Sequence, residues 1–290
     1  MFNRTILITG GTGTLGHALV PRLLQEGFAA IKIYSRDEYK QYLMRDEFPD
    51  KRVQFFLGDV RDKERLRDVA RGSDMLIHAA AYKRVPEIEA QPFEAVKTNV
   101  LGSQNVVEVC WDVGINNAVL VSSDKACEPK NFYGATKMMA ERFFLNANLK
   151  VVRYGNVIGS RGSVVEIFKK QVQDGAKITV TDPNMTRFFL TIQQAVDLIM
   201  FALRTGSGGQ IYVPQIPSMK VTDLVQAISP DATYSITGIR AGEKIHEKLI
   251  GSDFSNTWLV KDNQCAPAIG DYTSDNNKEW LLVEEIRKMI

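Results

Sequence analysis

Cysteine is nearly absent. The 290 residues hold three, Cys110, Cys127 and Cys265, odd in number and widely spaced. That excludes a disulfide framework and a cysteine zinc site, and it suits a reducing compartment such as the cytoplasm. Histidine is as scarce, and His17, His78 and His246 share no metal-ligand spacing with other residues, so no metal is expected. Net charge is also missing: 36 Lys plus Arg against 34 Asp plus Glu leave +2. Such a chain carries no general field for nucleic acid or an anionic membrane. No apolar run reaches the roughly 18 residues of a membrane span, and Met1-Phe2-Asn3-Arg4 leads straight into a short strand, so neither leader nor anchor is expected. Internal repeats and low-complexity tracts are absent too.

What the chain does have is a 44% hydrophobic composition, dealt out in short runs. The runs at 5–9, 31–34, 53–57, 75–78, 118–122 and 150–154 are apolar throughout rather than alternating, which predicts strands covered on both faces. Helical spacing fills the gaps at 15–26, 63–71, 92–113 and 134–147. Strands separated by helical crossovers give βαβ units, so the fold class is α/β, a Rossmann-type doubly wound parallel sheet. Beyond residue 155 Gly, Pro and Ser become frequent, with helices expected near 163–174, 192–204, 221–228 and 280–289. Residues 1–155 therefore read as a nucleotide-binding domain. Residues 156–290 read mainly as a smaller, interleaved substrate lobe, with a segment near 186–204 rejoining the first.

Gly10-Gly11-Thr12-Gly13-Thr14-Leu15-Gly16 follows the first strand and opens the first helix. Glycines there let the backbone turn tightly and approach a pyrophosphate at the helix N-terminus, so Gly10, Thr12, Gly13, Thr14, Leu15 and Gly16 are cofactor-binding candidates. After the second strand stand Ser35, Arg36, Asp37 and Lys40. Arg36 and Lys40, with Ser35 as a further donor, suit a 2′-phosphate and favour NADP; Asp37 is placed as an acid for an unphosphorylated ribose and speaks for NAD. Asp59 and Val60 after the third strand are candidates to bracket the adenine, and Ala79 and Ala80 after the fourth to line the nicotinamide path.

Tyr133 and Lys137 lie four residues apart on one face of a predicted helix. A cation beside a phenol lowers its pKa and lets tyrosine act as a base. One short loop earlier, Ser122-Ser123-Asp124-Lys125 ends the fifth strand, and open α/β sheets bind ligands at that edge. Ser123 reads equally as a sugar donor or a turn cap. Cys127 has no evident base and reads as a bystander, and His78 as structural. A diphosphate needs cations, and Arg187, Arg240 and Lys244 are available in the irregular half.

These residues resemble the extended short-chain dehydrogenase/reductases. More closely, the chain is similar to the inverting UDP-N-acetylglucosamine 4,6-dehydratases. The motifs GGTGTLG, YSRDEYKQ, GDVRD, HAAAYKRVPEIE, KTNVLGSQNV, SSDKA, YGATK, RYGNVIGSRGSVV, MTRFFLT, VPQIPSMK, GIRAGEKIHE and YTSDNNKEWL carry the likeness over nearly the whole length. The resemblance implies C4 oxidation, loss of water across C5 and C6, and hydride return to C6 on a tightly held, recycled NADP. It implies Tyr133 as base at the C4 hydroxyl with Lys137 holding the ribose, Lys125 as base at C5, and Asp124 as acid at C6. Lys125 would then be partly neutral, favoured by the charge of Lys137. It further implies Lys83 and Asn99 beside the cofactor, and Lys83, Asn156, Ser163, Val164, Arg187, Arg240 and Glu243 beside the sugar nucleotide. Homo-oligomers, dimers or hexamers, are implied as well. Asp-Lys at 124–125, where retaining dehydratases usually carry Asp-Glu, is the reason for the inverting branch. A 4-epimerase, a retaining 4,6- or a 5,6-dehydratase, a broad carbonyl reductase and a silent NADP-binding sensor are the alternatives.

Overall fold

The computed structural model describes residues 3–160, 162–252 and 255–290. Met1, Phe2, Arg161 of the GSRGS stretch, Asp253 and Phe254 lie outside the described residues. β1 (Thr5–Thr9), α1 (Thr14–Gln25), β2 (Ala30–Ser35), α2 (Glu38–Glu47), β3 (Val53–Leu57), α3 (Lys63–Ala70) and β4 (Met75–His78) alternate. The charged stretch after β2 leads into the first turn of α2. Asp37 caps it by accepting the Lys40 N–H at 3.0 Å. The single helix expected over 92–113 is three pieces after α4 (Val85–Ala90): α5 (Pro92–Ala95), a π-helical segment Val96–Leu101, and α6 (Gly102–Val113). The wide turn buries Thr98 and Asn99.

β5 (Asn117–Val121), a 3₁₀ turn Asp124–Ala126, α7 (Phe132–Asn146) and β6 (Lys150–Val152) complete the first half. β7 (Asn156–Val157), α8 (Val164–Gln173), β8 (Ile178–Val180), β9 (Thr186–Leu190), α9 (Ile192–Thr205), β10 (Ile211–Pro214), β11 (Ser218–Lys220) and α10 (Val221–Ile228) follow. The chain ends through β12 (Tyr234–Ile236), β13 (Lys248–Ile250), β14 (Thr257–Lys261), β15 (Gln264–Pro267), β16 (Tyr272–Thr273) and α11 (Val283–Met289).

The large sheet runs β15-β14-β10-β6-β5-β4-β1-β2-β3, parallel except for β15 against β14. Its 3-2-1-4-5-6 stretch is the doubly wound order, whose switch point between β1 and β4 opens a crevice at the strands' carboxyl ends. Ile6, Leu7, Ile8, Leu76, Ile77, Val119 and Leu120 are fully buried, as strands with helices on both faces require. Each such side chain contributes about 1.5–3 kcal/mol of burial.

The boundary at 155 is simpler than the topology. α9 packs against α1, β5 and β6, and β10, β14 and β15 return to the large sheet, while β9 pairs instead with β7 and β11. A second core of Ile158, Val165, Phe168, Ile178, Phe189, Met219 and Leu224 supports the small sheets under α8, α10 and α11. No described helix is long and apolar enough to cross a membrane.

Candidate active site

The turn after β1 is tight because Gly10 takes φ +69°, and a Cβ there would sit 2.7 Å from the Ala80 backbone. The strand ends of β1 and β4 thus touch at Gly10 and Ala80. α1 opens on exposed Gly13 with no side-chain cap and no acid in its first turn, which leaves its amides to an anion. Thr12 is buried beside it, Thr14 is half-buried, and Leu15 reaches the core. Val60 is buried and lies against Gly102.

At the end of β2 the expected donors divide. Lys40 Nζ pairs with Asp37 at 2.8 Å, and the Ser35 hydroxyl accepts from Gln41 at 3.0 Å. In the ligand-free site both are engaged by the start of α2, and the Ser35 hydroxyl, accepting there, keeps its own proton to donate. Asp37 is committed by the same cap. Arg36 remains at the crevice, its guanidinium 5.1 Å above the Tyr82 ring and 3.6 Å from Asp59, which Arg61 holds at 2.7 Å. Asn99 accepts the Tyr82 N–H at 2.8 Å and donates to the Tyr82 carbonyl and Thr136, and so positions the chain after β4. Lys83 is exposed on that stretch.

The β5 end gathers the chemistry. Ser123 starts the 3₁₀ turn, accepts the Lys125 N–H, and donates to Asp124 Oδ1 at 2.8 Å. Lys125 Nζ lies 3.1 Å from Asp124 Oδ1 and 3.4 Å from Glu247 Oε1. Burial alone pulls Lys125 down, but the carboxylates of Asp124 and Glu247 more than offset it and hold the ammonium above the usual lysine range. Without ligands the site thus favours the charged form of Lys125. Glu247 was not among the sequence candidates. It sits three residues beyond Lys244 in an irregular stretch, and only the fold brings it to Lys125.

Tyr133 opens α7, whose close approach depends on Gly134: a Cβ there would lie 2.1 Å from the Lys125 carbonyl oxygen. Burial raises the Tyr133 phenol above its ordinary value, while Lys125 and a hydrogen bond with Ser123 work the other way. Lys125, not Lys137, is the cation named beside the phenol. Lys137 is buried, donates to the Val121 carbonyl at 2.7 Å, and is pushed down to about 8 by burial against the pull of Glu141. One turn further, Glu141 holds Arg153 at 2.5 Å and Ser122 at 2.6 Å. Residues 133, 137 and 141 thus form one functional stripe on α7.

The substrate-side candidates scatter. Arg187 is buried, and its donors go to the carbonyls of Thr186, Lys244 and Ile245, with Glu247 at 3.8 Å. Through these bonds it holds the 244–247 stretch in the ligand-free site. Lys244 donates to the Cys127 carbonyl at 2.6 Å. Arg240 is exposed on a loop, with Glu243 accepting its backbone N–H at 3.4 Å. Ser163 precedes α8 without capping it, and its buried Oγ has no partner. Val164 joins the second core and Asn156 is half-buried on β7.

His78 lies between Thr9 and Ser103, stacks on Phe144, and is pushed down to about 3 by burial, a neutral core residue. The buried Cys127 thiol is pushed up to about 11, which makes it a poor nucleophile. Among the described residues no group of His, Cys, Asp or Glu could hold a metal.

Comparison with known proteins follows this geometry. The polysaccharide biosynthesis protein family matches residues 6–265. The inverting UDP-N-acetylglucosamine 4,6-dehydratase of Campylobacter jejuni serotype O:2 is 43% identical over 329 aligned positions, covering 100% of this chain and 98% of the relative. A UDP-glucose 4-epimerase of Rickettsia akari is 33% identical, covering 99% and 95%. The X-ray structure of Pen from Bacillus thuringiensis superimposes with a TM-score of 0.91 at 34% identity, covering 100% and 97%. With the doubly wound sheet and the Ser-Asp-Lys turn facing Tyr133, the chain belongs to the polysaccharide biosynthesis protein family, among relatives that include the inverting UDP-N-acetylglucosamine 4,6-dehydratases.

Proposed function

We propose that the protein is an NADP-dependent UDP-N-acetylglucosamine 4,6-dehydratase that inverts C5. The observation that carries the reading is the cluster at the β5 end: a buried carboxylate, an ammonium and a phenol within one turn and the adjoining helix start.

The residues fit the cofactor. The uncapped, acid-free start of α1 suits a pyrophosphate, and Arg36, held at the crevice by Tyr82 and Asp59, is the cation placed to meet a 2′-phosphate. Asp37, the residue that spoke for NAD, is occupied as a helix cap. Bound there, the nicotinamide supplies a hydride acceptor that is regenerated within one turnover. Tyr133 takes the C4 hydroxyl proton, with Ser123 bonded to the phenol. The resulting C4 ketone acidifies C5, and Lys125 removes that proton. Asp124, whose Oδ2 is buried and unpartnered, supplies a proton to the departing C6 hydroxyl, so that water leaves. The cofactor would give the hydride back at C6, and a proton reaches C5 from the opposite face. Lys137 would hold the cofactor's ribose. Exposed Trp111 on α6 and Met139 on the adjoining α7 support the further reading of a homo-oligomer.

The Rickettsia relative favours a second reading, 4-epimerisation. Incubation with UDP-N-acetylglucosamine without added reductant separates them. The dehydratase yields a 4-keto-6-deoxy sugar nucleotide; a 4-hydroxyl epimer with C6 intact would establish the epimerase instead.

A further inference from the structure

The dehydratase chemistry leaves one buried acid beside its base unexplained. Glu247 is 3% exposed and its Oε2 has no partner, and the same is true of Asp124 Oδ2. These two orphaned oxygens belong to the two carboxylates that flank one ammonium, Lys125 Nζ. A buried carboxylate without full hydrogen bonding costs stability, so its retention calls for an explanation.

Its placement is built from distant segments. The Glu247 N–H donates to Ser274 Oγ, and the Ser274 N–H donates back to the Glu247 carbonyl. Ser274 Oγ also bonds Thr186, next to the Arg187 that faces Glu247 Oε1. The tail motif and β9 thus clamp the residue that meets Lys125. The charged and titratable groups facing Lys125 are Asp124 on its own turn, Glu247 before β13, Arg187 on β9, Tyr133 on α7 and Lys244 ahead of Glu247.

We propose that Glu247 is a positioning residue for the elimination: it anchors the Lys125 ammonium opposite Asp124 and thereby sets the strength of Lys125 as the base at C5. This rests on the dehydratase reading above. The sign follows from charge. When Lys125 takes the C5 proton, the new ammonium lies against the Glu247 carboxylate, which stabilises that product of proton transfer while Asp124 keeps the proton destined for the C6 hydroxyl. Glu247 also holds the resting ammonium, so the neutral amine becomes available only at higher pH. Removing one carboxylate gives a base that is weaker yet available sooner.

The test is the pH profile of deuterium entry at C5 of UDP-N-acetylglucosamine in heavy water, for the NADP-loaded wild type, Glu247→Gln and Glu247→Asp. The inference expects the rising limb of Glu247→Gln to move to lower pH by at least about one unit, and its plateau to fall by on the order of tenfold to a hundredfold. Substrate-driven reduction of the nicotinamide is retained, which shows a folded site. Glu247→Asp, which keeps the charge, restores the wild-type limb. A plateau loss with an unmoved limb, or Asp behaving like Gln, overturns the inference and makes Glu247 a packing residue. A wild type that turns over with no label at C5 overturns the dehydratase reading itself.

Discussion

Lys125 carries opposite demands: the site favours it as an ammonium, and the proposed reaction needs it as an amine. Lys125→Ala is expected to abolish solvent exchange at C5 while leaving cofactor binding intact, measured by NMR and by nucleotide titration. Wild-type turnover in that variant would remove Lys125 from the mechanism. In the proposed mechanism Tyr133 belongs to the earlier step. Tyr133→Phe is expected to lose about two to four decades of substrate-driven nicotinamide reduction, the usual worth of a positioned general base. At this scale the sequence was informative where residues are neighbours in the chain. Ser123, Asp124 and Lys125 share a turn, and Tyr133 follows one loop later. It was silent on Glu247, which meets Lys125 from more than a hundred positions away. Nor does donor count say which carbonyls the fold will aim at the Arg187 guanidinium.

At the scale of elements, α7 is the part that matters most. Its stripe of Tyr133, Lys137 and Glu141 serves the phenol, a buried ammonium and a buried ion pair in succession. The stripe reaches the 3₁₀ turn only because position 134 lacks a side chain. Gly134→Ala would place a methyl 2.1 Å from the Lys125 carbonyl oxygen. The expected outcome is a folded protein whose turnover drops by about 10²-fold, the effect of a displacement near 1 Å at a reacting centre; unchanged steady-state kinetics would show that the turn yields without consequence. Periodicity made α7 and the first five strands legible. It failed over 92–113, where the apolar spacing continues through a π-helical turn that only the burial of Asn99 and Thr98 reveals. It did not place α2, whose polar surface hides the helix and whose cap, Asp37, reads in sequence as an acid that would speak for NAD.

On the scale of the whole molecule, the two lobes are not separable along the chain. Arg153, just past β6, binds Glu141 on α7 through Nε and Nη2 and the Leu249 carbonyl through Nη1. It joins the large sheet, the catalytic helix and β13 in one buried knot. Glu141→Gln leaves that guanidinium without its counter-charge and is expected to cost about 3–5 kcal/mol, read as a lower midpoint in denaturant unfolding. A midpoint equal to wild type would show that the knot contributes nothing to holding the lobes. The interleaving was only half legible, because β10 and β14 look in sequence like any short apolar strands and acquire their partners from the large sheet's open edge.

The central claim is that one site oxidises, dehydrates and reduces a single sugar ring, with Lys125 working at C5. Proton NMR of UDP-N-acetylglucosamine turned over by the purified protein in deuterated water tests it most directly. The account predicts a 6-deoxy-4-ketone carrying solvent deuterium at C5 and the inverted configuration there. A product with C6 oxygen retained and no deuterium in the ring would contradict it.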